Sequence, residues 1–161
     1  MTTASRELRQ GLVASGVAGL AWSALCVALD QAGHTPSGPT LVDRWYRVQA
    51  VLVLVVVPLQ AFLADGVARW VARAPEPRGV VARAYGMGVL VFVLVDALAW
   101  AVLGFDKLGP VLVVSAPGCL LLMVAVGARG LVGVGVGWAR AAGAVLLGVL
   151  AAVVVGGPLL R

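Results

Sequence analysis

Residues 107–129 read KLGPVLVVSAPGCLLLMVAVGAR, a lysine and an arginine with 21 uncharged residues between them. About 20 predominantly apolar residues in a helix cross the hydrocarbon core of a bilayer. The pattern repeats outward along the chain. Arg83 and Asp106 are 22 residues apart in the same sense, interrupted by one acid, Asp96; 20 lie between Arg140 and Arg161, 17 between Arg47 and Asp65, and 20 between Arg9 and Asp30. Five such stretches take up most of the 161 residues. Hydrophobic residues make up 61% and charged residues 12%, against roughly 25% charged in soluble domains. So little charge cannot coat a globule of this size. The expected fold is all-α: a single polytopic transmembrane helical bundle over residues 1–161, with spans at about 10–30, 45–68, 84–105, 109–128 and 139–160. The connections are too short for a separate catalytic or receptor domain, so function is expected within the bilayer or at short loops.

Both cysteines, Cys26 and Cys119, fall inside spans and form no Cys-x-x-Cys pair. They read as small apolar residues rather than as a thiol redox centre. The net charge of +5 is distributed at span ends, which is not the clustered basic face of a nucleic-acid binder. Arg6 and Arg9 precede an apolar run of 20, longer than a signal-peptide core and followed by no small-x-small site. An uncleaved first helix is expected.

Orientation follows from basic residues. With the N-terminus cytoplasmic, the inner set is Arg6, Arg9, Arg69, Arg73, Arg78, Arg83, Arg129 and Arg140, and the outer set is Arg44, Arg47, Lys107 and Arg161. Eight against four favours N-terminus inside and C-terminus outside. Trp45, Tyr46, Trp70, Tyr85, Trp100, Phe105 and Trp138 all fall near span ends, where aromatic rings favour the headgroup level. Only Trp22 is mid-span, so it must pack against protein or lipid. The long polar connection is Asp30 to Asp43 (DQAGHTPSGPTLVD), Ala74 to Gly79 reads as a turn, and Gly109-Pro110 suits a helix start. Residues 130–138 (GLVGVGVGW) fit either an extension of the fourth helix or a glycine-loosened interfacial turn.

Helices in lipid associate by close backbone approach at small residues. Gly11, Ser15, Gly19 and Ser23 form one small ridge on the first span, and Ala144, Gly148, Ala152 and Gly156 form another on the fifth. The two ridges are able to pair, within one chain or across a dimer. Pro58 and Pro117 lie inside the second and fourth spans and predict kinks, the latter freeing the carbonyl of Val113.

The intramembrane polar candidates are Asp96, Ser115 and Gln60. An aspartate near a helix centre costs roughly 2.5–3.5 kcal/mol on insertion scales, so it is expected to face protein or water. Asp96 shares a stripe with Tyr85, Val89, Phe92 and Trp100, and Ser115 and the Val113 carbonyl lie at similar depth. A protonated Asp96 donating to one of them, a proton or ion role, and exposure in an outer cavity all remain open. Gln60 is an interhelical hydrogen-bond candidate. Asp65 precedes Arg69 and Arg73 by four and eight residues, the favourable order for pairing along a helix. Arg69, Arg73, Arg78 and Arg83 set topology, and are candidates to contact anionic lipid or an acidic partner. His34 has no second ligand in register, so no metal site is expected. Motifs of intramembrane enzymes such as Gly-x-Ser-x-Gly and His-Glu-x-x-His do not occur. The expectation is a non-enzymatic protein with no cofactor.

Tyr46-Arg47-Val48-Gln49-Ala50 leading to Val57-Pro58-Leu59, then Ala84-Tyr85-Gly86 with Val89-Leu90-Val91-Phe92, then Gly127-Ala128-Arg129-Gly130-Leu131 and Arg140-Ala141, resemble the Yip-domain family. The resemblance covers about residues 10–160 and implies five spans, a cytosolic N-terminus and an outer C-terminus. The long N-terminal region of eukaryotic members with its Asp-Leu-Tyr-Gly-Pro motif has no counterpart, and Asp96 stands near a frequent family proline. Eleven arginines to one lysine resemble a GC-rich bacterial proteome, which points to a bacterial Yip-like protein of the cytoplasmic (inner) membrane, without Rab-type partners. The leading expectation is action through helix, lipid or membrane-partner contacts, including a homo-oligomer. The alternative is a small transporter or channel subunit with Asp96 lining a polar path.

Overall fold

The structure is a computed structural model that describes residues 3–32, 45–74, 79–104 and 108–156. It contains five helices: α1 (Thr3–Gln31), α2 (Trp45–Ala72), α3 (Val80–Leu103), α4 (Leu108–Val132) and α5 (Trp138–Gly156). All five carry segments long and apolar enough to cross a membrane, running Ser5–Gln31, Val48–Ala72, Val80–Leu103, Val113–Val132 and Trp138–Gly156. The chain is thus an all-α bundle of membrane-spanning type. Its spans differ from the sequence expectation mainly at one end: α1 begins at Thr3, about two turns before the expected residue 10, and α2, α3 and α4 each extend about one turn beyond the expected boundary.

Consecutive helices run antiparallel. Gly19 of α1 packs on the Val53 backbone of α2 while Cys26, further along, meets Gln49. Asp96 of α3 faces Ser115 and Cys119 of α4, and Gly130 at the other end of α4 meets Val80. α1 and α3 are parallel neighbours, since Gly11 meets Gly79 and Ala82 while Trp22 meets Phe92. α2 and α3 occupy the middle: α2 touches α1, α3 and α5, and α3 touches α1, α2 and α4.

The contact surfaces are built from small side chains. Buried Ala61, Ala64, Ala68 and Ala72 form a stripe on α2, and the α5 ridge of Ala144, Gly148 and Ala152 lies against it. The α1 ridge instead packs on α2 and α3. The expected pairing of the α1 and α5 ridges does not occur, because α1 makes no substantial contact with α5. The reason is steric: the alanine stripe on α2 offers α5 a groove just as shallow, and Gly79 and Gly86 give α1 a second one on α3. Buried Ser15 needs no partner helix either, since its hydroxyl donates to the Gly11 carbonyl at 2.9 Å.

Helix ends are closed by backbone motifs. After α4, Val136 N–H donates to Leu131 O at 3.2 Å and Gly135 N–H to Val132 O at 3.0 Å, with Gly135 at φ 91°. This is a Schellman closure, with Leu131 and Val136 both buried across it. Residues 130–138 therefore combine the two alternatives: α4 continues to Val132, and a glycine turn follows. α2 ends in the same way, with Ala74 N–H to Arg69 O at 3.1 Å and Arg73 N–H to Trp70 O at 3.3 Å. Here the left-handed position is held by Arg73 at φ 49°. A β-carbon costs about 1 kcal/mol or more there, so Arg73→Gly is expected to stabilise the protein by about 1 kcal/mol. Thermal denaturation in detergent checks this, and a loss of stability would show that the arginine side chain contributes more than its strain costs.

Both helices run through their internal prolines, Pro58 and Pro117. Trp70 and Trp138 are 81% and 57% exposed, as belt residues should be. Tyr85 is not one of them. It is 4% exposed, because α3 starts at Val80 and carries Tyr85 more than a turn inward, into the core. Trp22 packs against Phe92 at a ring separation of 6.3 Å. The aromatic expectations for Trp45, Tyr46 and Phe105 fall on side chains outside the described residues.

Candidate functional site

Asp96 lies seven residues from the C-terminal end of α3, about 10 Å along the axis. It is 9% exposed and turned toward α4, where Ser115 and Cys119 stand one turn apart. Ser115 is close to the carboxylate, yet neither Asp96 Oδ1 nor Ser115 Oγ completes a hydrogen bond. The seam beside them opens into a groove of about 520 Å³, lined by Val91, Val95, Val111, Val114 and Gly118 together with Ser115 and Cys119. Apart from Ser115 the lining is apolar. Buried polar groups of this kind are costly until paired, so the short rotation that would bring hydroxyl and carboxyl together is favoured.

Gln60 does not join this pair. It is 5% exposed on α2, and its Nε2 donates to the Ala152 carbonyl of α5 at 3.2 Å. The amide thus ties α2 to α5, with Gly156 packed against its side chain. The three polar candidates form two separate features: Asp96 with Ser115 on the α3–α4 seam, and Gln60 on the α2–α5 seam.

The expected pairing of Asp65 with Arg69 and Arg73 is replaced by a different use of the carboxylate. Asp65 is 3% exposed and accepts three backbone donors: Gly79 N–H on Oδ2 at 3.0 Å, and Val81 and Ala82 N–H on Oδ1 at 2.9 and 3.4 Å. It caps α3 from the middle of the bundle. The first amides of a helix lack internal partners, and the residue preceding α3 is Gly79 at φ 98°, with no side chain to cap them. An acid also suits the positive end of the helix dipole. The missing local cap before Val80 was the sequence signal for this role. The identity of the capping residue, 14 positions upstream, was not local information.

The basic set also divides. Arg83 Nη1 donates to Gln10 Oε1 at 2.6 Å and forms an ion pair with Glu7 at 3.3 Å, so it belongs to the α1–α3 seam. Arg69 has a buried Nε without a hydrogen-bond partner, and Arg73 is exposed at the end of α2. Arg78 and His34 lie outside the described residues. Arg6 and Arg9, which the sequence did not mark as site residues, stand with Arg83 around one cavity. Among the described residues no group of three His, Cys, Asp or Glu side chains could hold a metal ion. Compared with known proteins, the chain matches no family model, no curated protein and no solved structure.

Proposed function

We propose that this is a non-enzymatic integral membrane protein that acts through contacts with helices, lipid or a membrane partner, and that it is a bacterial Yip-like protein of the inner membrane. One observation carries the first part. Of the interior acids, Asp65 is used to cap α3, and Asp96 lies near Ser115 beside a groove whose remaining lining is apolar. A transport path requires polar or water-filled surroundings for an intramembrane carboxylate, and those surroundings favour the contact reading over a transporter or channel subunit. The Yip-like assignment is supported by the resemblance of residues and by the count of five spans. Five crossings put the termini on opposite sides. Against Arg47 at one end of α2, Arg6, Arg9, Arg69, Arg73, Arg83, Arg129 and Arg140 lie toward the other end of the bundle. By the positive-inside rule that end is cytoplasmic. A C-terminal alkaline phosphatase fusion should be active; an inactive fusion would reverse the orientation.

Asp96 supplies the decisive experiment. Purified protein in proteoliposomes is expected to pass protons and small cations no faster than empty vesicles, and Asp96→Asn is expected to match or exceed the wild type in stability. A leak that disappears in Asp96→Asn would establish the transporter reading in place of this one.

A further inference from the structure

The geometry points to an anionic phospholipid site in the crevice between α1 and α3, with the phosphate held by Arg6, Arg9 and Arg83 and the acyl chains descending over Val13, Ala14 and Met87. The crevice has a volume of about 570 Å³. It rests on the reading of the chain as membrane-spanning, but not on Asp96, which lies toward the opposite end of α3.

Three features make this a lipid site rather than a general basic surface. The first is the convergence of charge. Arg6 and Arg9 lie on successive turns of α1 and are exposed, while Arg83 reaches toward them from the first turn of the parallel α3. Three arginines line the crevice, and the nearby carboxylate, Glu7, stands 3.3 Å from Arg83 Nη1. The second is preorganisation. Gln10 accepts a hydrogen bond from Arg83 Nη1, and Glu7 lies within ion-pair distance of the same nitrogen, so both fix the guanidinium from one edge; a guanidinium suits two-point recognition of phosphate. The third is the change of chemistry with depth. Val13, Ala14 and Met87 lie about one helical turn, roughly 5 Å, beyond the arginines. A free phosphate ion gains nothing from that apolar wall, whereas a phospholipid has its phosphate at the rim and its chains below. The amides of α3 are not part of the site, since Asp65 already occupies them.

The test uses the full chain purified in detergent, with phosphatidylglycerol and phosphatidylcholine as probes in native mass spectrometry. Phosphatidylglycerol should remain bound and phosphatidylcholine should not. Arg6→Gln/Arg9→Gln is expected to weaken phosphatidylglycerol retention at least tenfold with unchanged helical circular dichroism. Arg129→Gln/Arg140→Gln removes the same charge from the same end of the bundle, outside the crevice, and is expected to leave binding intact. Glycerol phosphate in excess should fail to displace the lipid. Equal retention of the two lipids, equal losses in the two double variants, or displacement by glycerol phosphate would each overturn the site; the last outcome would identify a binding site for a free anion.

Discussion

Replacing Gly86 with leucine is expected to be the most damaging single change in the protein, with a loss of about 3 kcal/mol or more and separation of α1 from α3. A β-carbon at Gly86 would lie 2.6 Å from both the Ala14 carbonyl carbon and the Ser15 nitrogen. These are backbone atoms inside a helix, so no rotamer change relieves the clash and α1 as a whole must retreat. Gly148→Leu should have a similar effect on the α2–α5 seam, since its β-carbon would run into the Ala64 carbonyl and stand 3.1 Å from Ala68 Cβ. Gly143→Leu on the same helix is the control, because nothing lies within 4 Å of its β-carbon. Thermal unfolding in detergent should rank the three with Gly143→Leu near wild type. If Gly143→Leu were as harmful as Gly148→Leu, composition or helix propensity would explain the losses and close packing would not.

Asp65→Leu is expected to cost about 3 kcal/mol or more, because it leaves three amide donors at the start of α3 buried without a partner. Asp65→Asn should be intermediate. Its oxygen can keep accepting from Val81 and Ala82, but its NH2 group meets the Gly79 N–H, donor against donor. The negative charge at the helix start is lost as well. Arg69→Gln and Arg73→Gln should have little effect through Asp65, since its carboxylate is committed to the α3 amides. Hydrogen exchange at Val81 and Ala82 gives a local readout: faster exchange in Asp65→Leu is expected, and unchanged protection would remove Asp65 as the cap.

Several of these features were legible in the linear chain. The gaps between charges located all five helices, because exclusion of charge from hydrocarbon acts on each segment separately. The glycines of residues 130–138 made a turn after α4 one of two readings, and the pattern alone did not choose between it and a longer helix. Gln60 was readable as a tie between helices because a primary amide inside a span must find a partner. The small ridges on α1 and α5 were equally visible, yet their partners were not. Many seams in a glycine- and alanine-rich chain are nearly equivalent by pattern, and the alanine stripe of α2 supplied the better-fitting surface. Helix starts were placed late for α3, since a local capping residue is absent and the true cap comes from α2. Tyr85 passed for an interfacial residue for the same reason.

By itself the sequence determined that the chain is a bundle of five membrane-spanning helices and where its basic residues would collect. These are properties of transfer from water to lipid, which sum residue by residue along the chain. The tertiary structure alone decided which surfaces meet: that α1 and α3 run side by side, that Asp65 caps α3, that Asp96 faces Ser115 while Gln60 holds α5, and that Arg6 and Arg9 join Arg83. Those outcomes depend on sub-ångström differences in how closely two backbones approach, and a one-dimensional pattern does not contain them.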